Sequence, residues 1–342
     1  MDEGARGISA GLIYPPSRYQ SLEETVAVAK AAAAHGGIYD VHMRNEADAI
    51  AESVEEVIAI SERSGIPAMI THFKIRGKKN WGRSAALIRR IDEARTMAQY
   101  PYTAGSTFLH VVIPPWYHSR GVDGLLRALR EERGAIKHDL DTRMDWENFS
   151  QSVGWEKIFV SSVVSEANQP CVGKSISQIA AERGHADPAD AAFDLLVEEQ
   201  LAVGMISFGL DEADITAIMR HPAVSFITDG LMSGRPHPRA YATYPRILGR
   251  YVREQGVLSL EEAVRKMTSL PARKIRLRNK GVIAEGYDAD LVVFDPDTVI
   301  DKNSYDDPRV HPAGIAHVLV NGVFVVEDAA LTGARPGRVI RD

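Results

Sequence analysis

The sequence predicts an α/β fold: a partial, TIM-like β/α barrel followed by a small C-terminal β unit. Three observations carry this. Strand-like and helix-like segments alternate four times in about the first 100 residues, the pattern of a parallel sheet wrapped by helices. Three short apolar runs end on His42, His72 and Asp229, and every strand of a β/α barrel finishes at one face, so such residues converge. From about residue 281 the texture changes to short strands separated by turns.

Taken in order, residues 7–14 read as a strand running into the Pro15-Pro16 break. Ser21 and Glu24 have the spacing of a capping box, opening a helix through the alanine-rich stretch to Gly36-Gly37. Gly37–His42 is the next strand. A helix over about 46–64 follows, with Ala51, Val54, Val57, Ile58 and Ile60 on its apolar side. Gly65 stops it, and Ile66–His72 is a strand. A third helix, about 84–96, leads into Tyr100–Ser106. The middle is less regular, with helical patterns near 121–133, 175–184 and 188–201 around strands at 157–163 and 204–209. Val224–Asp229 is a further strand, and helices follow at about 240–254 and 259–270, the second opened by Ser259 and Glu262. Gly281–Ile283, Asp290–Asp295 and His317–Val326 read as short strands, with Asn321-Gly322 as a hairpin turn. The expected division is a barrel domain over 1–280 and a sandwich-like β unit with its tail over 281–342. About five barrel strands are found where a closed barrel needs eight.

The chain has 342 residues, 45% hydrophobic and 25% charged, enough to bury a large core. Net charge is −6, and the densest basic cluster is Arg76, Lys78 and Lys79, too small for a nucleic-acid footprint. No apolar stretch reaches the roughly 20 residues that cross a bilayer, and the N-terminus is unlike a signal peptide. One cysteine, Cys171, excludes an internal disulfide framework and fits a reducing cytoplasm. A cytoplasmic protein is expected, with no membrane or nucleic-acid partner.

Neutral imidazoles are good zinc ligands, and a catalytic zinc typically keeps three protein ligands plus an open position. Bound zinc draws the pKa of water towards neutrality, and a neighbouring carboxylate can take that proton and return it to a leaving amine. His42, His72 and Asp229 have the residue types for this. The bland reading of a single strand-end histidine is a hydrogen-bonded structural residue.

The motifs around these residues resemble the D-aminoacylases, the N-acyl-D-amino-acid deacylases of the amidohydrolase superfamily. They are His42-Met43-Arg44, Thr71-His72-Phe73-Lys74, Asn80-Trp81-Gly82-Arg83, Tyr100–Ser106, His237–Gly249, Lys266–Ala272, Gly286–Asp295 and Thr332–Arg338. The resemblance runs collinearly through essentially the whole chain, and Tyr100–Ser106 with His237–Gly249 is its most specific part. It implies a metal-dependent hydrolase barrel acting on a small-molecule N-acyl-D-amino acid. In it His42 and His72 hold zinc, and Asp229 activates water and touches metal. Arg239 receives the substrate's α-carboxylate, and Lys74, Tyr100 and Ser106 contact substrate. Each has a plainer reading. Lys74 and Arg44 could be solvated cations, Arg239 a loop residue paired with a surface carboxylate, Tyr100 barrel core, Tyr14 a packing residue and Cys171 a small buried one.

Members of that family also carry an N-terminal region with a His-x-His pair and a cysteine ligand, and no His-x-His occurs here. The expectation is therefore a chain resembling the C-terminal two-thirds of such an enzyme, holding one zinc weakly. An open strand edge would invite a homo-oligomer or a partner chain. Two alternatives stand beside the deacylase: a cyclic amidohydrolase of the hydantoinase or dihydroorotase kind, and an inactive scaffold that needs a partner.

Overall fold

The computed structural model describes residues 1–92 and 95–340. Its first layer is a five-stranded, wholly parallel sheet in the order β1 (Gly7–Gly11), β2 (Ile38–His42), β3 (Ala68–Ile70), β4 (Arg95–Gln99) and β8 (Val224–Phe226). Helix α1 (Leu22–Ala34) carries the chain from β1 to β2, and α2 (Ile50–Ser64) from β2 to β3. Ser21 and Glu24 close a reciprocal capping box at α1, and Gly65 ends α2 in the left-handed conformation (φ 72°). Val54, Val57, Ile58 and Ile60 of α2 pack with Tyr39 and Val41 of β2 in one buried cluster. Asp40 and His42 alternate with those two and so lie on the sheet's other face. β1 and β8 each pair on one side only, so the sheet is an open arc.

Between β4 and β8 the chain makes an inserted layer. A three-stranded antiparallel sheet, β5 (Gly105–Phe108), β7 (Gly204–Ser207) and β6 (Ile158–Ser162), is covered by the helices Gly121–Glu131, Ile176–Arg183 and Pro188–Glu198. Leu129, Phe193, Leu196, Ile158 and Met205 share its core. The predicted strands at 157–163 and 204–209 are thus real but belong to this layer, apart from the parallel sheet.

The predicted helix over 84–96 is a single turn, Ser84–Leu87, and a 3-10 turn, Ile88–Arg90; its positions 93 and 94 lie outside the described residues. Arg95–Gln99, into which the expected helix runs and where no strand is expected, is the fourth parallel strand. Its helix-forming composition is overridden because Thr96–Gln99 is buried between β3 and β8. The helix near 240–254 begins as Arg239–Arg246 and continues, beyond Pro245, as a π-helical stretch Ile247–Glu254. Ser259 caps Leu260–Met267, but Glu262 pairs with Arg265 instead of completing the box.

The C-terminal sheet has four antiparallel strands in the order β12 (Ala330–Leu331), β11 (Val323–Glu327), β10 (Ile315–Val320) and β9 (Leu291–Phe294). Asn321 and Gly322 both take positive φ (49° and 76°) between the paired residues Val320 and Val323, the two-residue hairpin turn expected. Gly281–Ile283 forms no strand, and Ile283 is 88% exposed. Asp301, between β9 and β10, is buried against Arg246 and Arg250 at 2.8 and 2.7 Å and fastens this part of the chain to the helices. Among the described residues no helix is long and apolar enough to cross a membrane.

Lys274 lies across β4 and β8, donating to the carbonyls of Met97 (2.8 Å) and Ala223 (2.7 Å) and to Ser225 Oγ (3.1 Å). Burial pushes its ammonium down to about 7. The folded chain therefore releases this proton before the unfolded chain does, and stability gains as pH rises from about 7 towards the ordinary lysine value. Denaturant unfolding of the chain and of Lys274→Met at pH 6 and pH 9 should show the difference moving in the lysine's favour at pH 9. No change between the two would mean that Lys274 keeps its proton.

Candidate metal centre

The ends of β2, β3, β4 and β8 bring the predicted residues to one cavity of about 450 Å³, whose walls include His42, His72, Lys74, Tyr100, Asp229 and Arg239, with Ser106 at the start of the inserted layer. His42 is the last residue of β2. His72 follows β3 with φ 40°, and Asp229 follows β8 with φ 47°. Two non-glycine residues held left-handed at strand ends on the same edge of the sheet are costly backbone positions of the kind that gather at functional sites.

His42 Nδ1 lies 3.0 Å from His72 Nε2. That is slightly closer than the roughly 3.3 Å kept by two nitrogens each ~2.0–2.1 Å from a tetrahedral ion. Burial holds the His42 imidazole well below its usual pKa, so the ring is neutral. Two imidazoles whose nitrogens meet on a cavity wall, the His42 ring held neutral, fit a divalent metal of the zinc kind.

The third member of the expected ligand set is different. Among the described residues, the groups whose ligand atoms lie within 4.8 Å of one another are His42, His72 and Glu46; Asp229 is not one of them. Its Oδ2 is 2.8 Å from Arg239 Nη2. Glu46 in turn stands behind the rings: its Oε1 is 3.3 Å from His72 Nδ1 and its Oε2 3.7 Å from His42 Nε2. These are the ring nitrogens facing away from the contact between the two histidines, so Glu46 sets a carboxylate behind both rings, although His42 Nε2 has no hydrogen-bond partner among the described residues.

Glu46 belongs to a buried group of four charges. Lys74 Nζ is 2.6 Å from Glu46 Oε1, Arg76 Nη2 is 3.4 Å from its Oε2, and Arg76 Nε is 2.7 Å from Glu147 Oε1. Glu147 also accepts from the Glu46 backbone N–H at 2.6 Å. Burial alone would raise the Glu46 pKa, but the Lys74 ammonium holds it well below the carboxylate range. Lys74 is lowered by burial, with Glu46 opposing. The plain reading of Lys74 as a solvated cation is therefore wrong: it is 6% exposed.

Arg239 is no loop residue either. It is 1% exposed, its guanidinium lies 4.3 Å over the Tyr100 ring, and its Nη2 also donates to the Ser106 carbonyl at 3.2 Å. The Tyr100 hydroxyl is buried with no partner among the described residues. Tyr14 walls the cavity, its hydroxyl 2.8 Å from Thr107 Oγ1 and its pKa pushed up to about 12 by burial. Arg44 is structural, held by Glu56 at 2.8 Å. Cys171 is simply buried.

Glu46, Arg76 and Glu147 were missed in the sequence. Glu46, four residues after His42, was legible as a companion carboxylate but lay at the expected start of a helix that in fact begins at Ile50. Glu147 is 101 residues from Glu46 in the inserted layer, and no local pattern connects them.

An open arc of parallel strands, with paired imidazoles and a carboxylate at its C-terminal edge, is a partial β/α barrel of the TIM type with a candidate metal site at its mouth. Residues 171–326 match the model of the amidohydrolase family. Over its whole length the chain is a homologue of two curated enzymes of Alcaligenes xylosoxydans xylosoxydans. It is 37% identical to an N-acyl-D-glutamate deacylase over 348 residues, and 36% identical to a D-aminoacylase over 346. These alignments cover 100% and 99% of this chain, which spans 62% of the length of each relative. The crystal structure of N-acyl-D-glutamate deacylase from Bordetella bronchiseptica, complexed with zinc and a phosphonate mimic of the tetrahedral intermediate, superposes with a TM-score of 0.81 at 34% identity. It matches 100% of this chain and 64% of that one. The expected resemblance to the D-aminoacylases is borne out. The cyclic-amide alternative is supported less well: the curated relatives at 33–37% identity are named N-acyl-D-glutamate deacylase, D-aminoacylase and N-acyl-D-aspartate deacylase.

Proposed function

We propose that this chain carries the metal and substrate-anchoring half of a zinc-dependent N-acyl-D-amino-acid deacylase, which hydrolyses a linear amide to a D-amino acid and a carboxylate. The observation that carries the reading is the facing pair His42 Nδ1 and His72 Nε2, 3.0 Å apart on the wall of a cavity shared with Arg239 and Asp229. One zinc would be held by His42 and His72, and when bound it would supply a water acidic enough to attack at neutral pH. Glu46 would keep both rings aimed.

Arg239 offers a guanidinium for the substrate's α-carboxylate, a task suited to its parallel donors, with the Tyr100 ring beneath it as a floor. In the ligand-free chain Arg239 is taken by Asp229, so an arriving carboxylate would displace Asp229 and free it. Asp229 would then accept a proton from the attacking water and hand it to the leaving nitrogen. Tyr100, with its unpartnered hydroxyl, can donate to the scissile carbonyl or the carboxylate, and Lys74 and Ser106 line the same space. An anchored carboxylate and a held carbonyl fix two points of the substrate, which leaves one side for the side chain and selects one enantiomer.

The test is release of amine by the zinc-loaded chain from N-acetyl-D-methionine and N-acetyl-D-glutamate, against their L enantiomers and the chelator-treated chain. D-specific, zinc-dependent release is expected. Zinc bound without release from either D substrate would reject the deacylase reading and favour the scaffold alternative.

A carboxylate-binding role alone would make Arg239→Ala mainly raise KM. The pairing of buried Arg239 with half-buried Asp229 changes this, because alanine would leave a cavity and release the base together. Arg239→Lys keeps a charge there but loses the fork, and is expected to raise KM about tenfold or more with a smaller fall in kcat. A fall confined to kcat would remove Arg239 from carboxylate binding.

A further inference from the structure

Lys74 has its ammonium fully engaged inside the protein. Nζ is 2.6 Å from Glu46 Oε1, 2.7 Å from His72 Nδ1 and 2.9 Å from the His72 carbonyl, which accounts for all three hydrogens. An ammonium has donors and no lone pair, so His72 Nδ1 at that distance is the acceptor and the His72 ring proton sits on Nε2. That nitrogen faces His42 Nδ1 at 3.0 Å and donates to it. The two nitrogens best placed to hold a metal are thereby joined to each other.

We propose that Lys74 is a latch on the metal site: docked on His72 Nδ1 it keeps the His72 proton on Nε2, and metal loading requires the ammonium to leave for the cavity. On release the ring proton passes from Nε2 to Nδ1, where Glu46 Oε1, 3.3 Å away, accepts it. His72 Nε2 and His42 Nδ1 then direct two lone pairs at one point. The cavity wall includes Lys74 as well as Arg239, and a carboxylate there is the natural partner for the freed ammonium. Metal and carboxylate ligand should therefore favour each other's binding, by the same factor in both directions. The latch rests on the metal assignment made above, with Lys74 as a positioning residue for His72.

The test joins two measurements on the full chain. The 15N shifts of the His72 ring nitrogens are recorded metal-free and zinc-loaded, and zinc dissociation constants are measured for the chain and for Lys74→Met by competition with a chromogenic chelator. The expected result is a proton on Nε2 in the metal-free chain and on Nδ1 in the loaded one, with zinc held about tenfold or more tighter by Lys74→Met. A residue that only braced the site would weaken zinc binding when removed. A metal-free chain that binds zinc yet already carries the proton on Nδ1 overturns the latch alone, and that reading survives even if Lys74→Met fails to fold. Folded Lys74→Met with unchanged or weaker affinity overturns it too. Zinc taken up by neither protein overturns the metal assignment and the latch with it.

Discussion

Replacing Asp229 by asparagine is expected to lower kcat for N-acetyl-D-methionine by about 10²–10⁴-fold, the contribution of a positioned general base, while the chain stays folded. The substitution isolates the chemistry because asparagine matches aspartate in size and tolerates the left-handed backbone that Asp229 adopts at φ 47°. The loss of its ion pair leaves Arg239 with the Ser106 carbonyl and the Tyr100 ring. A stability cost of about 1–2 kcal/mol follows from weakening one charged hydrogen bond, well short of unfolding. Zinc content should change little, since Asp229 stands outside the group formed by His42, His72 and Glu46. Amine release, elemental zinc and thermal unfolding measured on one preparation separate these effects. Near-normal kcat would move the proton transfer to another group, and loss of zinc would return Asp229 to the ligand set.

The largest expected effect on stability comes from Arg76→Met. Arg76 is 3% exposed, and between two carboxylates it serves Glu147 at 2.7 Å and Glu46 at 3.4 Å, donates to Ser207 at 2.9 Å and stacks 4.3 Å over the Phe149 ring. Methionine replaces much of the stem and none of the charge. Stranding a buried partner costs about 3–5 kcal/mol, and here Glu147, already pushed up in pKa by burial against the pull of Arg76, is the group stranded. Urea unfolding should therefore show a loss of that order. The double variant Arg76→Met with Glu147→Leu should be less destabilised than the sum of the single changes, because it removes both ends of the pair. Additive losses would mean that Arg76 and Glu147 act independently. Glu147 lies in the inserted layer and Glu46 beside β2, so the same variant probes how the layer is fastened to the candidate centre.

The positions of His42, His72 and Asp229 were legible because a buried parallel strand is a short apolar run, and the residue that ends it stands at the open edge of the sheet. The cap at Ser21, the stop at Gly65 and the turn at Asn321-Gly322 were legible for a similar reason: each depends on the conformational preference of one or two residues. Arg95–Gln99 was not. Its side chains suit a helix, and only the neighbours Ala68–Ile70 and Val224–Phe226 make it a strand. The strands around Phe159 and Ile206 were found as strands, but their antiparallel pairing in a separate sheet was not. A strand's own pattern records that it is buried and is silent about its partners.

The sequence by itself determined the alternation of strands and helices, the residue types at the strand ends and the kinship with the N-acyl-D-amino-acid deacylases, since these rest on local periodicity and short motifs. Tertiary structure alone decided what those residues touch. It set Asp229 on Arg239 instead of among the metal-facing groups, put Glu46 behind both imidazoles, and buried Lys74 against His72. The physical reason is range: a helix turn or strand end is settled within a few residues, whereas charges taken from water must find partners wherever the fold brings them. For the Glu46 carboxylate those partners, Lys74 and Arg76, are 28 and 30 residues away.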